Sequence, residues 1–181
     1  MLQYALNMKK FLLTAGVLLG ACKESGPKLD PIKLVPKVDL NRYMGTWYVI
    51  ANIPNFFEKG LVASTETYTR NSETGKIDIL FQGRKNTFDG EIKKIPQTAQ
   101  VLDENIGSEW KVRIFFWLRV PYLIQDLDPN YQWVVVGYPD RSLIWIMSRA
   151  PKMDDALYTQ ILERVKIQGY DLSKIVKVPQ P

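Results

Sequence analysis

The chain has 181 residues, of which 46% are hydrophobic and 24% are charged, a composition that fits one globular domain and excludes a disordered chain. It has no histidine and a single cysteine, Cys22, which excludes Ser-His-Asp and Cys-His catalysis, nearly every transition-metal site and an intramolecular disulfide. The net charge is +5, but lysine and arginine are interleaved with acidic residues, so we expect no nucleic-acid partner. We expect no metal and no cofactor either.

Residues 1–21 have the pattern of a signal peptide. Lys9 and Lys10 precede an apolar run, 11–19, that is too short to span a bilayer permanently. The segment that follows, Leu19-Gly20-Ala21-Cys22, resembles a bacterial lipobox, in which the cysteine thiol receives an acyl chain. A plain secretory signal with an incidental cysteine is the alternative, and Met8 is an alternative start to Met1.

Residues 22–37 predict a tether between an acylated Cys22 and a domain at 38–181. The segment contains Gly26 and several prolines and has no hydrophobic periodicity. Acyl chains on Cys22 would hold the protein to a membrane. Residue 23 is lysine rather than the aspartate that retains Gram-negative lipoproteins in the inner membrane, so the resemblance implies a lipid-anchored protein of the outer membrane. We expect it to face the periplasm, with the exterior as the alternative.

From Gly45 onward, short runs rich in β-branched and aromatic residues alternate with polar residues and are separated by turn signals. This pattern predicts strands at 45–53, 63–71, 76–84, 91–102, 109–117, 121–127, 131–138 and 142–149. Residues 154–168 predict one helix with Asp154 as N-cap and Gly169 just past its end, and 173–178 predict a short ninth strand. Closing eight antiparallel strands removes both exposed edges, so we expect an all-β, up-and-down barrel with the helix packed outside.

Three motifs occur in a fixed order along this predicted domain. They are Gly45-Thr46-Trp47 at the entry to the first strand, Asp128-Pro129-Asn130-Tyr131 between the sixth and seventh strands, and Arg149 at the end of the eighth. Together with the lipobox they resemble the lipocalins, in particular the bacterial outer-membrane lipoprotein branch that is related to apolipoprotein D. The resemblance covers about residues 38–178 and implies a barrel with one closed and one open end.

The resemblance implies that the motif residues are structural rather than catalytic. Gly45 permits the sharp bend into the first strand, and Trp47 would close one end of the barrel with a large apolar ring. Arg149 would lie across that ring and donate hydrogen bonds to carbonyls of the entry turn. Asp128 and Tyr131 would fix the turn between the sixth and seventh strands.

Alternation and the family pattern together place a set of candidate ligand-binding side chains inside the barrel. They are Glu66, Tyr68, Ile79, Phe81, Ala99, Val112, Ile114, Tyr122, Ile124, Leu143 and Trp145. Each is alternatively filler in a packed core, because small barrels can be solid.

Glu66 departs from the family, which prefers a small apolar residue at this position. Inside a dry barrel its carboxyl needs a proton or a partner, either a hydroxyl of Tyr68 or Tyr122 near the mouth or a ligand head group. The alternative is a register shifted by one residue, in which Glu66 faces water.

Phe56 and Phe57 belong to the predicted long first loop, 53–60, over the open end of the barrel. They are interpreted either as an apolar lip that receives a lipid or as a lid that packs on the barrel rim. Aromatic residues in the fifth-to-sixth connection, 116–122, add to the same rim.

The leading functional hypothesis is a lipid-anchored protein that binds a fatty acid, a lysophospholipid or a similar small amphiphile for lipid storage, transport or repair in the bacterial envelope. One alternative is a solid barrel with a structural or docking role. Another is a lipid-modifying enzyme that uses Glu66 and the tyrosines as acid and base. We expect binding rather than catalysis, and the sequence leaves a homodimer open.

Overall fold

The computed structural model describes residues 29–181. The predicted signal peptide, Cys22 and the first part of the predicted tether lie outside the described residues. Within residues 29–181, no helix is long and apolar enough to cross a membrane.

Eight antiparallel strands close into a barrel, as predicted. Each strand pairs with the next, and β1 pairs with both β8 and β2, which closes the sheet. The strands are β1 (Gly45–Asn52), β2 (Leu61–Arg70), β3 (Ile77–Lys85), β4 (Ile92–Val101), β5 (Glu109–Arg113), β6 (Arg119–Leu127), β7 (Trp133–Gly137) and β8 (Ile144–Ser148). A short helix, α1 (Leu40–Tyr43), leads into β1, and a longer one, α2 (Asp155–Ile167), follows β8.

Most strand boundaries differ from the prediction by one or two residues, and the largest difference is at β5. β5 ends at Arg113 rather than 117, because Ile114 N donates to Leu118 O at 3.1 Å and so closes residues 114–118 into a tight turn. β8 begins at Ile144, the first residue to pair with β7, rather than at 142. The predicted strand 173–178 is a 3₁₀ turn, Leu172–Lys174, followed by a two-residue strand, β9 (Val176–Lys177).

The C-terminal segment fills a gap in the barrel wall. β1 pairs with β2 over Gly45–Tyr48 but with β9 over Ala51–Asn52, because β2 bulges away near Ala63, whose φ is +50°. Ala63 N donates to Pro179 O at 2.8 Å, and Gln180 Nε2 donates to one carbonyl on each of β1 and β2 at 2.7 and 3.0 Å. The chain end therefore satisfies backbone groups that the separated strands leave unpaired.

Helix α2 packs on the outside of the barrel, as predicted. Asp154 caps it by accepting from Leu157 N at 3.0 Å, and Gly169 follows its end with a φ of +90°. Ile161 and Val165 face an outer apolar cluster that includes residues of β6, β7 and β8, among them Leu123, Trp133, Val135, Ile144 and Ile146. The alternate residues of these strands face the inside of the barrel, so both faces of this part of the sheet are buried.

Part of the predicted tether belongs to the packed structure. Ile32 is 8% exposed and lies in the outer apolar cluster, and Val35 N donates to Ile124 O at 3.1 Å. Packing contacts therefore extend into residues 29–37, the described part of the predicted tether. No period-two or helical pattern marks this segment, which is why the sequence did not reveal its packing.

Candidate functional site

One end of the barrel is closed by α1 and Trp47. The Trp47 side chain is fully buried, and its Nε1 donates to Tyr43 O at 2.9 Å. The Arg149 guanidinium carbon lies 3.7 Å from the centre of the Trp47 ring. Its nitrogens donate, at 2.8–3.0 Å, to the carbonyls of Arg42, Tyr43, Met44 and Thr46. Gly45 has a φ of +95°, so the bend favours glycine, and a Cβ there would lie 3.3 Å from Arg149 Nη1, which leaves little room for a side chain.

The connection between β6 and β7 is tied to the same end. Asp128 Oδ2 accepts from Asn130 N and Gln132 N, both at 3.1 Å, which shapes the turn. Tyr131 has a φ of +60°, and its hydroxyl accepts from Asp39 N, the N-cap residue of α1, at 2.7 Å. Tyr131 therefore links the turn to α1, a contact that local sequence patterns do not reveal.

Most of the predicted ligand-binding residues lie inside the barrel. A buried interior cluster contains Tyr68, Ile79, Phe81, Ala99, Val112, Tyr122 and Ile124, and Ile114 and Trp145 pack against it. Glu66 is 6% exposed and pairs in register with the inward-facing Phe81, so its side chain faces inward too. Leu143 differs from the prediction: it precedes β8, lies in the connection between β7 and β8, and belongs to neither apolar cluster of the described residues.

The interior is packed near the closed end and accessible toward the open end. Tyr43, Tyr68 and Trp110 form a buried aromatic floor in which the Tyr43 and Trp110 ring centres are 5.1 Å apart. Further toward the open end, four apolar side chains pack against the same cluster yet stay partly exposed; they are Ile95, Ile114, Val120 and Trp145. The packed-core alternative therefore describes the lower half of the barrel, whereas solvent reaches apolar side chains in the upper half.

A groove of about 580 Å³ lies mainly on the outer face of β2, β3 and β4, beside the 114–118 turn. Pairing between β4 and β5 covers only Thr98–Val101 of β4, so the preceding part of β4 has no β5 neighbour. The groove is lined on the outer face by residues such as Leu80 and Arg113, and also by the inward-facing Ile79 and by Ile114. The groove thus lies where the short β5 leaves β4 without a neighbour.

Glu66 ends a chain of hydrogen-bonded tyrosines on the aromatic floor. The Tyr68 hydroxyl donates to Glu66 Oε2 and lies 2.6 Å from the Tyr122 hydroxyl, which lies 2.7 Å from that of Tyr43. The sequence suggested Tyr68 and Tyr122 as partners near the mouth. The structure places them beside α1 and Trp47, at the closed end, because Tyr68 pairs with Gly45 at the start of β1.

Burial controls the protonation of Glu66 and of the three tyrosines that are hydrogen-bonded in a row behind it. It raises the pKa of Glu66 from 4.5 to about 7; the hydrogen bond from Tyr68 opposes the rise, and the charge of Glu58 adds to it. Burial also raises the pKa values of Tyr43, Tyr68 and Tyr122, so the three hydroxyls keep their protons at neutral pH. The floor of the accessible space therefore carries one carboxyl that titrates near neutrality.

A second carboxyl, that of the partly buried Glu58, holds the loop between β1 and β2 over the open end. Its oxygens accept from Asn52 Nδ2 and Asn55 Nδ2, both at 2.7 Å, and from Trp145 Nε1 at 2.9 Å. Burial raises the pKa of Glu58, and these hydrogen bonds oppose the rise. Glu58 was missed from the sequence because it lies in a loop, where no periodicity marks which side chains point inward.

The two loop phenylalanines take different positions. The Phe57 ring centre lies 5.6 Å from that of Phe115 in the 114–118 turn, so Phe57 packs on the rim. Phe56 is 90% exposed. Phe116 and Trp117 of the turn are 80% and 70% exposed. The rim thus has a packed base and an exposed aromatic edge, which combines the two interpretations made from the sequence.

Comparison with known proteins settles the family. Residues 38–180 match the model of the Lipocalin-like domain. This chain belongs to the lipocalin family. The lipocalin is 34% identical over 159 residues to temperature-induced lipocalin-1 of Arabidopsis thaliana, covering 82% of this chain and 83% of the relative. It is 32% identical over 168 residues to the outer membrane lipoprotein Blc of Escherichia coli, covering 93% of both.

Solved structures agree on the fold of the lipocalin. Insecticyanin of the tobacco hornworm Manduca sexta superposes with a TM-score of 0.63 over 86% of both chains, at 14% sequence identity. At this identity the likeness concerns the fold alone. Within residues 29–181 the lipocalin has no group of three histidine, cysteine or acidic side chains placed to hold a metal ion.

Proposed function

We propose that this lipocalin binds a small amphiphile of the fatty acid or lysophospholipid kind, with the alkyl chain in the upper half of the barrel. The observation that carries the proposal is the set of inward-facing apolar side chains that stay partly exposed above the aromatic floor. Enclosing an alkyl segment of about ten methylenes contributes roughly 8 kcal/mol, part of which offsets the loss of freedom on association. Binding, rather than catalysis, is the proposed activity.

The residues at the rim of the open end support a ligand that keeps its head group at the rim and its alkyl chain inside the barrel. Lys93 faces inward from β4, and its Nζ lies 5.6 Å from the centre of the Phe57 ring and donates to Phe57 O at 3.0 Å. Lys59 and Arg119 are exposed at the same end of the barrel. Cations at the rim suit an anionic head group, and the exposed Phe56 and Phe116 suit the passage of an alkyl chain out of a membrane.

Filling the upper half with a large side chain is expected to block binding. Ile95 faces inward opposite Phe81, whereas the adjacent Lys94 is exposed on the outer face. We expect Ile95→Trp to weaken the binding of a fluorescent fatty acid at least about tenfold, because the ring takes the space of the chain. The matched variant Lys94→Trp is expected to stay within about twofold, on the same reasoning.

Fluorescence titration measures this effect, and native mass spectrometry of the same samples gives the number of protein copies per bound lipid. Equal affinities for the two variants would place the ligand outside the barrel. No saturable binding by the wild-type protein would refute the proposed function itself.

We also propose that Cys22 carries the lipid anchor and that the protein resides at the outer membrane, where it serves lipid storage, transport or repair. The support is the lipobox Leu19-Gly20-Ala21-Cys22 and the similarity to a bacterial outer membrane lipoprotein over most of the chain. The absence of aspartate at position 23 favours the outer over the inner membrane.

Expression in a Gram-negative host tests the anchor. The wild-type protein is expected to incorporate labelled palmitate and to fractionate with outer membranes, because acyl chains bury many methylenes in the bilayer. Cys22→Ser is expected to lose the label, and Lys23→Asp to keep it but move to the inner membrane. A labelled Cys22→Ser variant, or an unlabelled wild-type protein, would contradict the anchor without affecting ligand binding.

A further inference from the structure

Glu66 is the feature of the interior that the proposed function does not use. It is only 6% exposed and lies on the boundary between the packed floor and the accessible upper half. It lies opposite Phe81 on β3, which in turn pairs with the partly exposed Ile95 on β4. A ligand that fills the upper half to its full depth therefore ends against this carboxyl.

The direction of the hydrogen bonds between the tyrosines shows which hydrogen-bonding capacity of Glu66 remains for a ligand. Each tyrosine hydroxyl has one proton. Since Tyr68 donates its proton to Glu66 Oε2, Tyr122 must donate to Tyr68, and Tyr43 to Tyr122. Each of the three tyrosine hydroxyl protons thus points along the row of hydrogen bonds toward the Glu66 carboxyl.

Only one of these protons reaches Glu66. Among the hydrogen bonds of residues 29–181, Glu66 accepts one, through Oε2. In the ionised carboxylate, Oε1 remains an acceptor, at the end of the space that a ligand would occupy. A plain methyl end placed there would remove water from Oε1 without replacing its hydrogen bond, which is unfavourable for a buried polar atom.

We propose that Glu66 is a ligand-recognition residue that selects amphiphiles whose inner end carries a hydrogen-bond donor, such as a hydroxylated alkyl chain. The donor pairs with Glu66 Oε1 while the head group stays at the rim near Lys93. This inference rests on the proposed function and adds the chemistry of the buried end of the ligand. On β3, Lys85 pairs with Leu61 at the rim end of β2 and lies four residues from Phe81, the neighbour of Glu66, or about 14 Å at 3.4 Å per residue, so a medium-length alkyl chain spans the distance.

Two ligands that differ by one group test the proposal at about pH 8, where Glu66 is ionised. They are dodecanoate and its terminally hydroxylated counterpart, each competing with a fluorescent fatty acid. In an apolar barrel the extra hydroxyl weakens binding about tenfold or more, because it loses its water partners. In the wild-type protein we expect the hydroxylated acid to bind at least as tightly as the plain acid.

Variants at position 66 assign the effect to the carboxyl. Glu66→Gln keeps a carbonyl oxygen and is expected to keep the wild-type preference. Glu66→Leu removes the acceptor and is expected to favour the plain acid by about tenfold or more. Glu109→Leu, the same exchange at an exposed position on β5, is expected to behave as the wild type.

The outcomes separate this inference from the function on which it rests. If wild-type protein and Glu66→Leu discriminate equally between the two acids, the recognition role is overturned while binding in the barrel stands. A wild-type preference for the plain acid overturns that role as well, and this comparison needs no variant to fold. If neither acid displaces the fluorescent probe and the probe itself does not bind, the proposed function fails together with the inference.

Discussion

Replacing Arg149 with alanine is expected to lower the free energy of unfolding by about 3–4 kcal/mol, as measured by urea denaturation. The guanidinium makes four hydrogen bonds to carbonyls of α1 and the start of β1 and lies over the buried Trp47 ring. Alanine leaves these carbonyls, two of them in part-buried contacts, without their partner. Charge-assisted bonds of this kind are the stronger ones in proteins.

Two controls separate the geometry from the charge. Arg149→Lys keeps the charge but not the planar fork, so an intermediate loss of about 2 kcal/mol is expected. Arg113→Ala removes an exposed arginine with one bond to Thr98 Oγ1 at 3.2 Å and is expected to change stability by less than about 0.5 kcal/mol. A loss below about 1 kcal/mol for Arg149→Ala would show that α1 closes the barrel without it.

Glu66 is expected to make stability depend on pH. Its pKa is about 7 in the folded protein against 4.5 in the unfolded chain, so between these values the folded state holds a proton that the unfolded state lacks. The contribution of Glu66 to stability is therefore highest below about pH 4.5, falls as the pH rises, and levels off above about pH 7. At 1.36 kcal/mol per unit of pKa, the total fall is roughly 3 kcal/mol.

Comparison with Glu66→Gln isolates this effect. The amide does not titrate, so the stability of the variant relative to the wild type is expected to rise by up to roughly 3 kcal/mol between about pH 4.5 and pH 8. Urea denaturation at several pH values measures the difference, and Glu109→Gln, at an exposed site, serves as control. A difference that stays constant with pH would mean that Glu66 ionises normally in the folded protein.

The strands and α2 were predictable because their signals are local. Alternation of apolar and polar residues defines a strand within a few positions, and an N-cap such as Asp154 acts on the next turn of the chain. Errors appeared where a local signal was ambiguous. The apolar residues after Arg113 resemble a continuing strand, yet the backbone bond from Ile114 to Leu118 turns the chain back. Leu143 was wrongly placed in the interior for a similar reason, since pairing in β8 starts only at Ile144, the residue after it.

The candidate site was predictable only in outline. Period-two alternation places Tyr68, Ile79 and Phe81 on one face of the sheet, but it does not specify which side chains meet across the barrel. Glu58 and Trp145 are 87 positions apart in the chain, and Tyr43 and Tyr122 are 79 apart. Such pairs depend on closure of the whole sheet, so no window of the sequence contains the information.

The sequence by itself determined the eight-stranded barrel and the outer helix, because both follow from short-range periodicity, capping and turn chemistry. The role of the motif that closes one end was expected from the resemblance to lipocalins. Only the tertiary structure decided that Glu66 ends a chain of tyrosine hydroxyls at the closed end, that Glu58 secures the loop at the open end, and that the C-terminal segment fills the wall between β1 and β2. The physical reason is that a buried polar group takes whichever partner the closed barrel brings within hydrogen-bonding distance, however far apart the two lie along the chain.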